Sequence, residues 1–357
     1  KKWFQFTNHI WELIDNGVFL RQKISTDIVE RFVEKGIQLY KQLAESKNKI
    51  EESMLNSRHK QVQKMISNLK SAPYKNNIMK ECEEIFYDKR FREKLDMNPY
   101  LIAFKNGIYD LTLNIFRKGR PEDFISKRMP INYVEYTDEH ECIHKVYSFL
   151  EQIFPDKSVR RYFLDTASDL FVGGNHQKTV HFWTGDGDNG KTITQSIFEQ
   201  MLGPLAIKLN TAVVTGKKIQ SGSANPEMAR AGNGVRWAVL EEPNGDEMIN
   251  SGTFKHLSGN DSYYARDLFE TGKDGREILP MFKLIFICNK LPKIKYADKA
   301  VWNRIRVIPF ESTFCRPENP APDTYEEQLN QKRFPIDTQF SKKIPELLDA
   351  FAWVLLE

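Results

Sequence analysis

The chain has 357 residues, 40% apolar and 28% charged, and its 52 Lys and Arg against 48 Asp and Glu leave a formal net charge of +4. These proportions are those of an ordinary globular protein of one to three domains. They contain no run of about eighteen apolar residues, so no membrane-spanning helix is expected, and the mild positive charge permits a polyanionic partner without requiring one.

Residues 1–95 read as mainly helical. "TDIVERFVEKGIQLYKQLAESKNKIEESML" places apolar residues three and four apart, with Thr26 or Asp27 as N-cap. The Lys/Glu-rich face of 41–70 reads as a solvated helix surface. From Asn98 the period shortens. "YLIAFKNGIYDLTLNIFRKGRP" holds short β-rich runs broken at Asn106-Gly107, where the glycine is expected to supply the positive φ of a hairpin turn. Helical periodicity returns in "ECIHKVYSFLEQIF" and "SVRRYFLDTASDLFVG" and stops at Gly173-Gly174, giving a boundary near 174–178. Beyond it, "TVHFW", "RWAVLEE", "FKLIFICN" and "RIRVIPF" alternate with polar or helical stretches, as strands of a parallel α/β sheet covered on both faces do. A Pro-rich loop, "CRPENPAPDTYEE", precedes a last helix. Cys82, Cys142, Cys288 and Cys315 show no metal-ligand spacing and read as isolated thiols in a reducing compartment. The chain opens on Lys1 and stops within an apolar helical pattern, which reads as a piece of something longer.

The sharpest signal lies between the first of these strands and "TITQSIFEQML". Gly185, Asp186, Gly187, Asp188, Asn189, Gly190, Lys191 and Thr192 fit G-x-x-x-x-G-K-[ST] without mismatch. Glycines let consecutive backbone N–H groups curl around a phosphate, and the following helix adds its partial positive charge. A turn that held only itself would have no use for the lysine–threonine ending. Lys191 is expected to reach the β- and γ-phosphates of ATP, and Thr192 to ligate Mg²⁺. Glu241 and Glu242 close the next apolar strand. Two adjacent carboxylates are costly to bring together without a cation, so Glu241 is assigned to Mg²⁺ and Glu242 to the attacking water. Asn289 ends the third strand, where its amide can bond the γ-phosphate or orient the water. Arg304, just before the last strand, is poorly placed for its own loop and is expected to enter a neighbouring subunit's site, with Arg306 as the alternative.

"GDGDNGKT", "RWAVLEEPN", "FKHLSGNDSYYARDLFE", "FKLIFICNKLP" and "WNRIRVIPF" stand in the order of the superfamily 3 helicases, and the chain most resembles the D5-type primase-helicases of large DNA viruses. The stretch "NPYLIAFKNGIYDLTLNIFRKGRPEDFISKRMPINY" resembles the D5 N-terminal region. The resemblance implies an α/β AAA+-like P-loop ATPase motor behind a mainly helical N-terminal domain carrying a small β element. The expected divisions are 1–95, helical; 96–175, D5-N-like; 176–312, motor; and 313–357, terminal loop and helix. It implies a homo-hexameric ring moving 3′-to-5′ on single-stranded or forked DNA inside the cell (in the host cytoplasm or a replication factory if viral). A primase domain and polymerase factors would be further partners, the primase domain lying outside this chain. The family's channel hairpin maps to "ARDLFETGKDGREILPMFK", with Lys273 at the tip as the DNA contact; Lys255 is a second DNA candidate, and Lys178 a second cation acting in trans. An origin-melting initiator and a packaging or remodelling ATPase remain as alternatives.

Overall fold

The four apolar runs that alternate after residue 175 become neighbours in one sheet. The computed structural model describes residues 2–215, 225–243, 247–266, 268 and 275–357. They form two compact units, 1–93 apart from 8–10, and 94–357 together with 8–10.

The first unit begins with strands, not the expected helix. β1 (Trp3–Thr7) and β2 (Ile10–Ile14) pair across Asn8 and His9, whose φ of 46° and 72° suit a tight, strand-twisted turn. Helices follow at Val18–Lys23, Val29–Glu45, Lys49–Lys70 and Ala72–Ile85. Thr26 and Asp27 do not cap a helix. They lie in a wide π-helical turn, Ile24–Ile28, that runs continuously between the first two helices, and the Thr26 hydroxyl donates back to the Gln22 carbonyl (3.0 Å). The Val29–Glu45 helix has no side-chain cap; on the next helix, Lys49–Lys70, the Asn48 side chain is the N-cap, accepting from the Ile50 N–H (3.0 Å). Ile24, Val29, Leu69 and Met79 form the small core.

In the second unit β3 (Leu101–Phe104), β4 (Gly107–Asp110) and β5 (Ile115–Arg117) make an antiparallel sheet. Its first turn is Lys105-Asn106. Gly107 pairs with Phe104 as a strand residue and does not take positive φ. A side chain is excluded there for another reason: a Cβ would lie 2.6 Å from the Phe116 ring and 2.7 Å from the Arg117 carbonyl oxygen. The helices Glu141–Ile153 and Lys157–Ser168 lead to the main sheet.

That sheet contains β6 (Val180–Thr184), β7 (Ala206–Leu209), β8 (Trp237–Glu241), β12 (Lys283–Cys288) and β14 (Ile305–Pro309), all parallel, in the order β14-β6-β12-β8-β7. Between β8 and β14 lie the short pairs β9 (Ile249–Asn250) with β13 (Ile294–Lys295) and β10 (Tyr263–Ala265) with β11 (Arg276–Ile278). β15 (Thr313–Cys315) pairs with β16 (Arg333–Pro335) before the Phe340–Leu356 helix. Side chains alternate across the main sheet. Trp183, Trp237 and Ile285 join one core with Phe163, Phe198 and Phe351, while Phe182, Leu240 and Phe286 join another with Phe254. Burial on both faces explains why β6, β8 and β12 read as continuous apolar runs, whereas β14, at the sheet edge, exposes Arg306 and Val307 and is not covered on both faces as expected.

Two buried cations stand at the amino ends of the central strands. Arg236, 2% exposed, donates through Nη2 to the carbonyls of Asn98, Pro99 and Leu101 (3.3, 3.4 and 3.3 Å), and burial holds its pKa down to about 10. Lys283, 1% exposed, donates to the carbonyls of Asp169 and Val172 and pairs with the Asp169 carboxylate (3.3 Å). Gly173 passes so close that a Cβ on it would meet Arg236 Nη1 at 2.2 Å. The glycine that ends the helical segment is thus a space requirement of this clamp.

His181 on β6 is buried, and burial, with Arg306 adding to it, lowers its pKa from 6.5 to about 4. The folded state therefore keeps the ring neutral where the unfolded chain protonates it. Stability is expected to be full above pH 6.5 and to fall by about 3 kcal/mol as pH drops to 4. His181→Phe should flatten that part of the curve in denaturant titrations, and an unchanged curve would refute the assignment.

Candidate functional site

The carboxyl ends of β6, β12 and β8 are level. Thr184 pairs with Cys288, and Ile287 pairs with Glu241. The glycine-rich loop, Asn289 and the two glutamates consequently emerge at one edge of the sheet, where open parallel sheets carry their ligands.

The loop's shape is set by its glycines and by segments distant in sequence. Gly185 has φ 149°, and a Cβ there would meet Asn189 Nδ2 and the Phe310 carbonyl oxygen, both at 2.4 Å. Gly190 has φ 84° and would collide with the Ile153 side chain at 2.2 Å. Asn189 is buried and structural. Its Nδ2 donates to the Phe310 carbonyl (3.3 Å), and its Oδ1 accepts from the Lys191 backbone (3.4 Å) and Nζ (3.2 Å). The Phe314 N–H donates to the Asp188 carbonyl (2.7 Å), fixing the loop's crest to the segment after β14. Asp186, Gly187 and Asp188 are exposed, and Gly187 has open space around it.

Lys191 opens the Lys191–Leu202 helix and is 7% exposed. Its ammonium rests on the loop itself, donating to the carbonyls of Gly185 and Asp186 (3.1 Å for the latter). Burial lowers its pKa, and Cys288, Asp186 and Glu242 partly oppose that shift. Thr192, next on the helix, is exposed.

The paired glutamates diverge, as successive strand residues must. Glu241 turns to β7, where its Oε1 meets Lys208 Nζ at 3.0 Å, and that bond raises the lysine's pKa. Glu242 turns to the loop side. Its Oε2 accepts from the Asn289 N–H (2.9 Å), and its charge is felt by Lys191 and by the buried Cys288 thiol, which burial pushes up to about 12. Lys191, Glu242 and Asn289 are therefore brought together, while Glu241 must leave Lys208 before it can hold a cation.

The other candidates lie elsewhere. Arg304 is at the amino end of β14, its carbonyl accepting from the Val180 N–H (2.7 Å), at the far end of β6 from the loop. Five strand residues separate the two ends, about 16 Å. Its Nη1 donates to the Ala300 carbonyl (2.6 Å), and its Nε is buried without a partner. Arg306 is exposed on the same edge strand. Lys255 pairs with Asp298 (2.9 Å). Lys178 takes φ 54° in a turn held by Asn175. Lys273 lies outside the described residues; β10 and β11, before and after it in sequence, pair antiparallel with Ala265 opposite Arg276. Ile153, Phe310 and Phe314, which shape the loop, carry no sequence signal for that role.

Residues 1–155 match the family model described as "D5 N terminal like". The chain is 41% identical to Putative helicase 022R of Frog virus 3 (isolate Goorha), over 86% of this chain and 37% of that protein. The chain is a relative of the D5-like primase-helicases. Putative helicase L207/L206 of Acanthamoeba polyphaga mimivirus is 35% identical over 99% of this D5-like chain and 36% of its own length. Putative primase C962R of African swine fever virus is 25% identical over 73% of this chain and 27% of its own length. The chain thus spans about a third of the curated relatives it matches. The family match starts at residue 1, so the D5-like stretch includes the helical unit as well as the region after Asn98. Among the described residues no helix is long and apolar enough to cross a membrane.

Proposed function

We propose that this chain is the ATP-driven motor of a viral DNA helicase, of the superfamily 3, AAA+-like kind. The observation that carries the reading is the convergence of Lys191, Glu242 and Asn289 at the level carboxyl ends of three parallel strands. ATP would lay its phosphates along the N–H groups of 185–190. Lys191 would exchange its loop carbonyls for phosphate oxygens. Glu242, held by the Asn289 N–H, would polarise the attacking water, and the Asn289 amide would meet the γ-phosphate. Mg²⁺ takes oxygen ligands and keeps most of its shell from phosphate and water. The Thr192 hydroxyl and Glu241, once released from Lys208, fit that requirement.

The placement of Arg304 at the opposite end of β6 supports a role in a neighbour's site, with exposed Arg306 as the alternative, and hence a ring of this chain. Lys273 and Lys255 would meet the DNA backbone in its channel. The ring would be a hexamer moving 3′-to-5′ on single-stranded DNA inside the infected cell, with any priming activity carried by sequence beyond this chain. Unwinding of a forked duplex by the wild type beside Lys191→Ala tests the reading. The wild type should displace the strand only with ATP, and the variant should not. ATPase without displacement would favour a packaging or remodelling ATPase.

A further inference from the structure

From Ser53 to Lys80 the chain runs 28 residues without an Asp or Glu, yet carries Arg58, Lys60, Lys64, Lys70, Lys75 and Lys80. Acidic residues number 48 of 357, about one in seven, so a run of this length would ordinarily hold about four. The structure puts most of it on the Lys49–Lys70 helix. Ser53, Ser57, Lys60, Lys64 and Ser67 follow the four-three spacing of a single helical face, and all five are exposed. Arg58 and Lys70 are exposed beside them. Among the described residues no carboxylate pairs with any of these cations, whereas Lys23, Lys145, Lys255 and Lys332 elsewhere each have one. The face is about 21 Å long from Ser53 to Ser67.

We propose that this face docks the phosphate backbone of a nucleic acid, separately from the ATP site. Uncompensated ammonium groups interleaved with hydroxyls are the donors that phosphate oxygens accept from. The five residues include no apolar member, while exposed Ile50 and Met54 stand beside the amino end of the face, so a lipid surface is one of the outcomes tested below. The contact is with the backbone, so it reads no sequence. Its length matches about six duplex steps of 3.4 Å along one strand.

The test uses the whole chain without nucleotide, with labelled single-stranded and duplex oligonucleotides of random sequence, and fluorescence anisotropy at several salt concentrations. Lys60→Gln/Lys64→Gln/Lys70→Gln removes three charges from the face. A control, Lys35→Gln/Lys41→Gln/Lys47→Gln, removes three exposed charges from mixed-sign surface of the same unit. With three phosphates lost at about 0.7–0.9 of slope each, affinity between about 50 and 200 mM salt should fall about 20- to 40-fold less steeply for the first variant than for wild type. The control should keep the wild-type slope. Whichever oligonucleotide loses more slope identifies the form bound. Equal flattening in both variants would reduce the effect to net charge and overturn the proposal, as would an unchanged slope. Binding to phosphatidylserine vesicles that depends on the same lysines would overturn it in favour of a lipid surface. Lys191→Ala separates this proposal from the motor reading, because it should lose ATP hydrolysis and keep the salt-dependent binding.

Discussion

Glu242→Gln should bind ATP about as well as wild type and hydrolyse it about 10²–10⁴-fold more slowly. The amide keeps the size of the side chain and an oxygen that can still accept from the Asn289 N–H, so the ends of β8 and β12 stay joined. What it loses is the negative charge that orders and polarises a water. Nucleotide affinity measured with a fluorescent analogue, beside phosphate release under saturating ATP, resolves the two effects. Glu241→Gln is the informative companion. It breaks an exposed ion pair with Lys208, worth at most about 1 kcal/mol of stability, and should raise the Mg²⁺ requirement if Glu241 moves to the cation. Near-normal turnover in Glu242→Gln would hand the water to Glu241 and reverse the assignment.

Arg236→Ala should destabilise the second unit by about 3–5 kcal/mol. The two N–H groups of Nη2 are shared among three carbonyls, one of which, Pro99, keeps the Gly173 N–H (2.8 Å), so about two charged-donor bonds are lost, each worth about 1.5–3 kcal/mol. Relief from burying the cation returns about 3 kcal/mol, judged from a pKa lowered to about 10. The truncated side chain also leaves a cavity beside Gly173, adding to the loss. Denaturant unfolding followed by Trp fluorescence measures the change, which corresponds to a fall in Tm of about 10 °C for a unit of this size. Arg236→Lys keeps the charge with a single head group and should recover only part of it. A loss below about 1 kcal/mol would mean that the carbonyls find other donors.

The central strands of the main sheet, β6, β8 and β12, were legible because burial on both faces writes an apolar run, and the loop was legible because phosphate geometry demands glycine and lysine at fixed spacing. β7 was not. At the sheet edge it is four residues long, with Lys208 exposed, and too short to show a period. The opening hairpin is hard to read although "WFQFT" and "IWELI" flank an Asn-His pair, because two five-residue strands carry a weaker signal than the long helical period that follows them. The directions of Glu241 and Glu242 could not be read, since sequence does not say which sheet face carries the loop helix. The supports of the loop, Ile153, Phe310 and Phe314, are ordinary apolar residues, and their role exists only once the chain has folded.

Those supports bear on what can be moved between proteins. Span 176–312 contains the glycine loop, both glutamates, Asn289 and Arg304, and looks like a cassette. Yet Phe198, behind the loop, meets Phe163 (6.1 Å) and Phe351 (5.6 Å) edge to face, and these two lie on either side of that span. Gly190 rests against Ile153 upstream and Phe314 downstream. Recombination at the motif borders would strip the loop of its backing on two sides at once. Exchange that preserves the loop must carry the flanking helices with it, so the chemistry and its scaffold are inherited as one block.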